Sequence, residues 1–300
     1  MFGGPVKPPP FEYVVAGSVD HACELLDADE DAKVLAGGQS LIPLLSLRLS
    51  SPTLLVDISR IPELREVHQA GDTLAIGALV RHEEVERSPV VREAAPLLSA
   101  AAAWVAHPQI RNSGTFGGAV AHSDSAAEFP AALLATGGTI VTLSSAGERR
   151  ITSRDFFGTH FQTALQHGEL VVRVEIPAAD NQSRWGFSEY ARRKGDYAIG
   201  GAAVCARVDP QGRCTSVAAG LIAAGAGPTL ATGLDEELIN RQVDEVAVER
   251  AATRVAAVLT PESNVHGTSE YRRAVLTDQL RRALRQTFDL EDDSFTRRSA

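Results

Sequence analysis

Short apolar runs and amphipathic stretches alternate along the first part of the chain. FEYVVAGSVDHACELLDAD reads as a short strand, then Ser18 as a helix N-cap, then a helix with apolar positions at Ala22, Leu25 and Leu26. DAKVLAGG predicts a buried strand ended by glycine. From Ser40, apolar Leu41, Leu44, Leu45, Leu47 and Leu49 predict a helix capped by Ser40, with Pro43 in its first turn and Pro52 as its stop. TLLVDIS then reads as another buried strand. This β-α-β-α-β order over about residues 1–58 predicts a small α/β subdomain with a mainly parallel sheet.

Beyond it, LREVHQAGDTLAIGALV alternates about Gly71–Asp72 like a hairpin, and EEVERSPVVREAAPLLSAAAAWVA reads as helical. A glycine-rich region at 113–138 precedes the strand-like TIVTLSS and ELVVRVEIP. Pro177 and the polar AADNQS behind it place a boundary near 178. The remainder reads as strands (RWGFSEYARR, then AIGGAAVCARVDPQGRCTSVAAGLIAAGAG) followed by helices at about 235–241, 244–258 and 268–286, an α+β arrangement. EDDSFTRRSA reads as a frayed tail.

Composition narrows the class. The 300 residues are 44% hydrophobic and 22% charged, enough for a sizeable core. A net charge of −9 argues against broad contact with nucleic acid or an anionic membrane, both of which require clustered Lys and Arg. No apolar run approaches the roughly 20 residues of a membrane span, and the start MFGGPVKPPPF lacks the apolar core of a signal peptide, so a cytoplasmic location is expected. Cys23, Cys205 and Cys214 lie far from any C-x-x-C spacing and suggest neither a disulfide framework nor a metal cluster.

Candidate chemistry concentrates in two glycine-rich loops. AGGQS, 36–40, joins a strand to a helix. Bare backbone N–H groups and a helix N-terminus make an anion cradle there; an ordinary strand-to-helix turn explains the same residues. The pattern is neither G-x-G-x-x-G nor a P-loop. The second loop, Gly114 to Gly118 around Thr115, precedes Asp124 and Glu128 and the apolar FPAALLA. Two such loops are suited to holding the phosphates of a dinucleotide between nests of backbone donors, and a bulky residue at Gly38 or Gly117 would then fill the phosphate space.

VLAGGQSLIPLLSLRL, LVDISRIPELR, HPQIRNSGTFGGAVAHSDSAAEFPAALLA and YARRKGDYAIGGAAV, in that order, resemble the FAD-binding medium subunit of the molybdenum hydroxylases. That family includes carbon monoxide dehydrogenase and the xanthine dehydrogenase relatives. The resemblance implies an α+β fold: a two-subdomain FAD-binding domain of the PCMH type over 1–177 (about 1–58 and 59–177), and a C-terminal α+β domain of the CO dehydrogenase flavoprotein type over 178–288. The tail, 289–300, is expected to be disordered.

It also implies site residues. The first loop, Lys33, Val34, Leu35, Ala36, Gly37, Gly38, Gln39, Ser40 and Leu41, would wrap the FAD pyrophosphate. Thr115, Phe116, Gly117 and Gly118 would close over the cofactor. Ala119 stands where relatives often carry asparagine, so one polar contact is lost or replaced. Glu128, with Asp124 before it, would accept from ribityl or ribose hydroxyls, although a carboxylate at a helix start is also stabilised by the dipole. In RRKGDYA, Tyr197 would cover a ring face, Asp196 would fix the turn or a flavin edge, and Lys194 would supply charge near N1 and O2 or simply be a solvated basic residue. Val171 is a candidate main-chain contact. Arg111 and Asn112 would brace the second loop, and His107 and His122 read as structural.

No catalytic residue and no metal ligand is assigned to this chain. The resemblance implies a molybdopterin-type molybdenum cofactor in a large partner subunit and [2Fe–2S] clusters in a small one, as a dimer of heterotrimers; this chain lacks the clustered cysteines that two [2Fe–2S] centres need, so those centres are expected elsewhere. Electrons would pass from the clusters through FAD to an external acceptor: NAD, a quinone, a cytochrome or oxygen. Two rivals are a self-contained FAD-dependent oxidoreductase of the broader superfamily and a non-catalytic FAD-binding assembly subunit.

Overall fold

The structure is a computed structural model and describes residues 7–265 and 267–290. Its first unit is the expected alternation: strand β1 (Glu12–Val15), helix α1 (Val19–Ala28), β2 (Lys33–Leu35), α2 (Leu41–Ser46) and β3 (Leu54–Asp57). The sheet runs β1-β3-β2, both pairings parallel. Ser18 caps α1, accepting from His21 N, and Val19, Ala22, Cys23 and Leu26 bury its inner face.

Two features of α2 differ from expectation. It ends at Ser46, before Arg48 takes a left-handed φ of 56°, and only Leu45 is fully buried; Leu47 and Leu49 face solvent. Ser40 makes no side-chain cap. The leucine-rich pattern overstates the helix, since Leu47 and Leu49 find no burial among the described residues.

A hairpin of β4 (Val67–Ala70) and β5 (Thr73–Gly77) turns at Gly71, φ 58°. The stretch expected to be helical is broken into α3 (His82–Arg87), α4 (Pro89–Ala94) and α5 (Pro96–Ala102), since each proline lacks the N–H that would continue the preceding helix. Next come α6 (Pro108–Arg111), α7 (Phe116–His122), α8 (Glu128–Thr136), β6 (Thr139–Ser144), β7 (Gly147–Thr152), α9 (Ser153–Phe156) and β8 (Leu170–Pro177). The second sheet is antiparallel, β4-β5-β8-β6-β7.

The rest comprises β9 (Ser183–Tyr190), β10 (Gly200–Val208), β11 (Cys214–Ile222), β12 (Thr229–Leu230), α10 (Asp235–Leu238), α11 (Glu245–Val258) and α12 (Ser269–Thr287). Its sheet runs β12-β11-β10-β9, leaving β9 at an edge. One face packs on α11 and α12; the other meets α8, whose apolar residues share a core with Phe187, Ala203 and Ile222. Leu290, assigned to the tail, packs on the C-terminal core, and the rest of that tail lies outside the described residues.

Candidate functional site

A cavity of about 1010 Å³ is lined by the chain from the end of α1 through β2, the β2–α2 loop, His82, residues between Val105 and Phe129, residues between Phe161 and Val171, and the 195–197 turn. Of the site residues expected from sequence, Lys33, Val34, Ala36 through Leu41, Thr115, Gly117, Gly118, Ala119, Asp124, Glu128, Val171, Asp196 and Tyr197 line it. Leu35, Phe116 and Lys194 do not. Leu35 pairs with Asp57 within the sheet. Phe116 is fully buried edge-on against Phe129, ring centroids 4.9 Å apart, and is a core residue. Lys194 is exposed.

The two glycine loops touch. A Cβ on Gly37 would lie 2.9 Å from Gly114 Cα and closer still to Ser113 O, so only glycine lets the loops meet backbone to backbone. Gly38 turns the chain with φ 72°. In this loop no backbone N–H of Gly37, Gly38, Gln39 or Ser40 has a protein acceptor among the described residues, and the Gln39 amide instead donates to Gly37 O (3.0 Å). A row of open donors beside the Lys33 side chain is chemistry for an anion.

The second loop differs from expectation. Phe116 N donates to Val80 O (2.8 Å), Gly117 N to Ala78 O (2.9 Å) and Gly118 N to Thr115 Oγ1 (3.2 Å). Those donors are engaged by the fold. A Cβ on Gly117 would lie 2.7 Å from Ala78 Cα, so this glycine is required by the packing of α7 on the chain just after β5 rather than by phosphate space. Thr115 caps α7, and its hydroxyl retains a proton to donate. The first loop therefore keeps the open donors suited to an anion, and the second forms a wall of the same cavity.

Several groups hold that wall. Arg81 donates to Ser113 O. Arg111 pairs with Glu86 (2.9 Å) and donates to the carbonyls of Val105 and Ala106 (both 3.1 Å), just upstream of that loop. His107 packs its ring on the Gly195 turn, and His122 stacks on Phe161 at 5.0 Å.

Sequence reasoning missed His82. It is 5% exposed, lines the cavity, and its Nε2 lies 2.9 Å from Thr115 O. A carbonyl only accepts, so Nε2 carries the proton and Nδ1 is left as an unpartnered buried acceptor. Burial depresses its pKa to about 4, which keeps it neutral. No sequence signal distinguished it, because its burial depends on the distant Gly114–Thr115 backbone.

Glu128 opens α8 and is only 9% exposed. Burial pushes its carboxyl up, its own backbone N–H opposes this, and the Asp124 charge adds to the rise. Asp124 Oδ1 accepts from Ala126 N (2.9 Å), fixing the turn before α8. Tyr197 is 68% exposed at the cavity edge.

A cavity lined by open N–H donors at Gly37–Ser40, by carboxylates suited to sugar hydroxyls, by the Thr115 hydroxyl and by the aromatic ring of Tyr197 offers the chemistry that a flavin dinucleotide needs. Among the described residues there is no His/Cys/Asp/Glu cluster suited to a metal. No helix among them is long and apolar enough to cross a membrane.

Comparison with known proteins agrees. A family model described as the FAD binding domain in molybdopterin dehydrogenase matches residues 9–179, and one described as the CO dehydrogenase flavoprotein C-terminal domain matches 185–287. The 6-hydroxypseudooxynicotine dehydrogenase complex subunit alpha of Paenarthrobacter nicotinovorans is 43% identical over 280 residues, covering 93% of this chain and 95% of that one. The carbon monoxide dehydrogenase medium chain of Hydrogenophaga pseudoflava is 34% identical, covering 92% and 96%. Among solved structures, carbon monoxide dehydrogenase from Hydrogenophaga pseudoflava superposes with a TM-score of 0.91 at 34% identity, covering 94% of this chain and 98% of that one. Quinoline 2-oxidoreductase from Pseudomonas putida 86 superposes at 0.89 and 37% identity, with the same coverage. The chain belongs to the FAD-binding subunits of the molybdopterin dehydrogenases, the family of the carbon monoxide dehydrogenase medium chains.

Proposed function

We propose that this chain is the electron-transfer subunit of a molybdenum-containing dehydrogenase, receiving electrons from [2Fe–2S] clusters of a small partner and passing them to an external acceptor. When bound, FAD would supply the conversion between one-electron donors and a two-electron acceptor. The observation that carries this reading is the row of open N–H groups at Gly37–Ser40 lining a cavity of about 1010 Å³.

The chain's own residues would divide the work. Gly37 through Ser40, with Lys33, hold the pyrophosphate; Thr115 donates its hydroxyl from the opposite wall; Asp124 and Glu128 accept from sugar hydroxyls; and Asp196 and Tyr197 border the ring. None is a nucleophile or a substrate acid–base group. The substrate would be oxidised at a molybdenum cofactor in a large subunit, the whole being a cytoplasmic dimer of heterotrimers. Relatives between 31% and 43% identical carry names as different as carbon monoxide, glyceraldehyde and caffeine dehydrogenase subunits, which supports a substrate pocket outside this chain.

The test is to isolate the chain with its natural partners and follow flavin absorbance as the complex oxidises its substrate. Bleaching of a flavin that depends on the iron–sulfur subunit supports the reading. Turnover by the isolated chain, or bleaching that needs no iron–sulfur subunit, overturns it.

A further inference from the structure

A second cleft, of about 650 Å³, runs along the open edge of β9 and shares no lining residue with the larger cavity. Side chains alternate along a strand, which divides β9 into two faces. Ser188 faces α12, its Oγ donating to Gln279 Oε1 (2.6 Å), and a Cβ on Gly186 would run into Ala283 O of the same helix. Phe187 and Glu189 therefore face the other way, where the Phe187 ring meets Trp104, just beyond α5, with centroids 6.2 Å apart. Because β9 is an edge, the cleft reaches both faces. Trp104, Phe187 and Glu189 line one side, and one stripe of α12, from Tyr271 through Asp278 to Arg282, lines the other.

Glu189 is the unsatisfied group of this cleft. It is 7% exposed, and its Oε2 is buried without a hydrogen-bond partner. The arginines of α12 do not supply one among the described residues. Arg282 pairs with Asp278 (2.9 Å), while Arg281 and Arg285 pair with Glu249 and Glu245 of α11. Arg272 donates to the carbonyls of Glu262 and Ala223 (2.5 and 2.7 Å). Arg273 has a buried, unpartnered Nε of its own, but it neither lines the cleft nor pairs with Glu189. An unpartnered carboxyl beside the rings of Trp104, Phe187, Tyr190 and Tyr271 is a constellation for a cation with an apolar body: ring faces attract positive charge, and the carboxylate fixes it by charge-assisted hydrogen bonds.

We propose that the β9–α12 cleft is a binding site for an organic cation, an alkylammonium or guanidinium group that Glu189 fixes and the surrounding rings enclose. The site goes beyond the flavin reading and does not depend on it. A cleft of this volume takes a small molecule or a single side chain. The cation therefore arrives either free or as a Lys or Arg side chain of a partner subunit. Burial, and then the charge of Glu128, raise the Glu189 carboxyl above the ordinary carboxylate range, so the empty site holds a proton more tightly than an exposed carboxyl does. A cation that seats there favours the carboxylate and drives that proton into the solvent. The other titratable or charged groups around Glu189 are Tyr190, Tyr271, Asp278 and Arg282 at the cleft, and Glu128 of α8.

The experiment titrates the full chain, alone and in the assembled complex, with n-butylammonium, n-butylguanidinium and the neutral n-butanol. Tryptophan fluorescence reads binding, with Trp104→Phe removing the signal that arises in the cleft. Calorimetry in buffers of different ionisation enthalpy reads the proton released. Both cations are expected to bind with proton release and at least about tenfold more tightly than butanol; Glu189→Gln weakens them about tenfold or more and abolishes the release, whereas Glu189→Asp retains it. A cation that binds the chain alone but is excluded from the complex assigns the site to a partner's side chain, and one that binds both assigns it to a free ligand. Butanol binding as tightly as the cations, affinity unchanged in Glu189→Gln, or no binding to either form overturns the proposal.

Discussion

Gly37→Ala is the most discriminating perturbation of the cradle. Its new Cβ would meet Ser113 O and lie 2.9 Å from Gly114 Cα, both of them backbone atoms that no rotamer change relieves. Ordinary contact demands that the loops separate by about half an ångström or more. Overpacking of this kind costs about 1–3 kcal/mol in stability. It also shifts the open donors of Gly37–Ser40 against the wall at Thr115, and losing one charge-assisted hydrogen bond costs about 1.5–3 kcal/mol, or roughly 10- to 150-fold in affinity. The assay is retitration of the flavin-depleted complex with FAD, with the melting temperature measured without flavin. The expected result is weaker FAD binding beside a moderate fall in Tm. Gly117→Ala separates the two effects: it drives a Cβ into Ala78, and it is expected to lower Tm severely before FAD is added. Wild-type FAD affinity in Gly37→Ala would refute the cradle.

Two further outcomes follow from the wall. The depressed pKa of His82, about 4 against an ordinary value near 6.5, means that the unfolded chain binds this proton more readily; the stability it confers is complete above about pH 6.5 and lost as pH falls toward 4, on the order of 3 kcal/mol. Denaturant titrations over that range are expected to show the loss in wild type and to show it reduced in His82→Phe; equal slopes contradict the assignment. Arg111→Leu strands Glu86 and two loop carbonyls, and is expected to destabilise by about 3 kcal/mol in chemical denaturation, whereas a change within error would show that the brace is dispensable.

How much of this was legible in the sequence depended on distance along the chain. The β-α-β-α-β unit was readable because its strands and the Ser18 cap are local patterns. The helical reading of 83–106 survived only in pieces, since Pro89 and Pro96 divide it. The two loops were located by their glycines, but the reasons for those glycines lie elsewhere: Gly37 answers to Ser113 and Gly114, and Gly117 to Ala78. His82 could not have been singled out, because burial by distant segments gives it its character. Leu35 and Phe116 were carried into the candidate site by adjacency to true lining residues, which strand and helix geometry turn away from the cavity.

The most direct measurement is the flavin content of the assembled complex, read from its absorbance spectrum and from the cofactor released on mild denaturation. About one noncovalent FAD per copy of this chain is expected, lost in Gly37→Ala under dialysis that the wild type withstands. A fully assembled, active complex without flavin would contradict it.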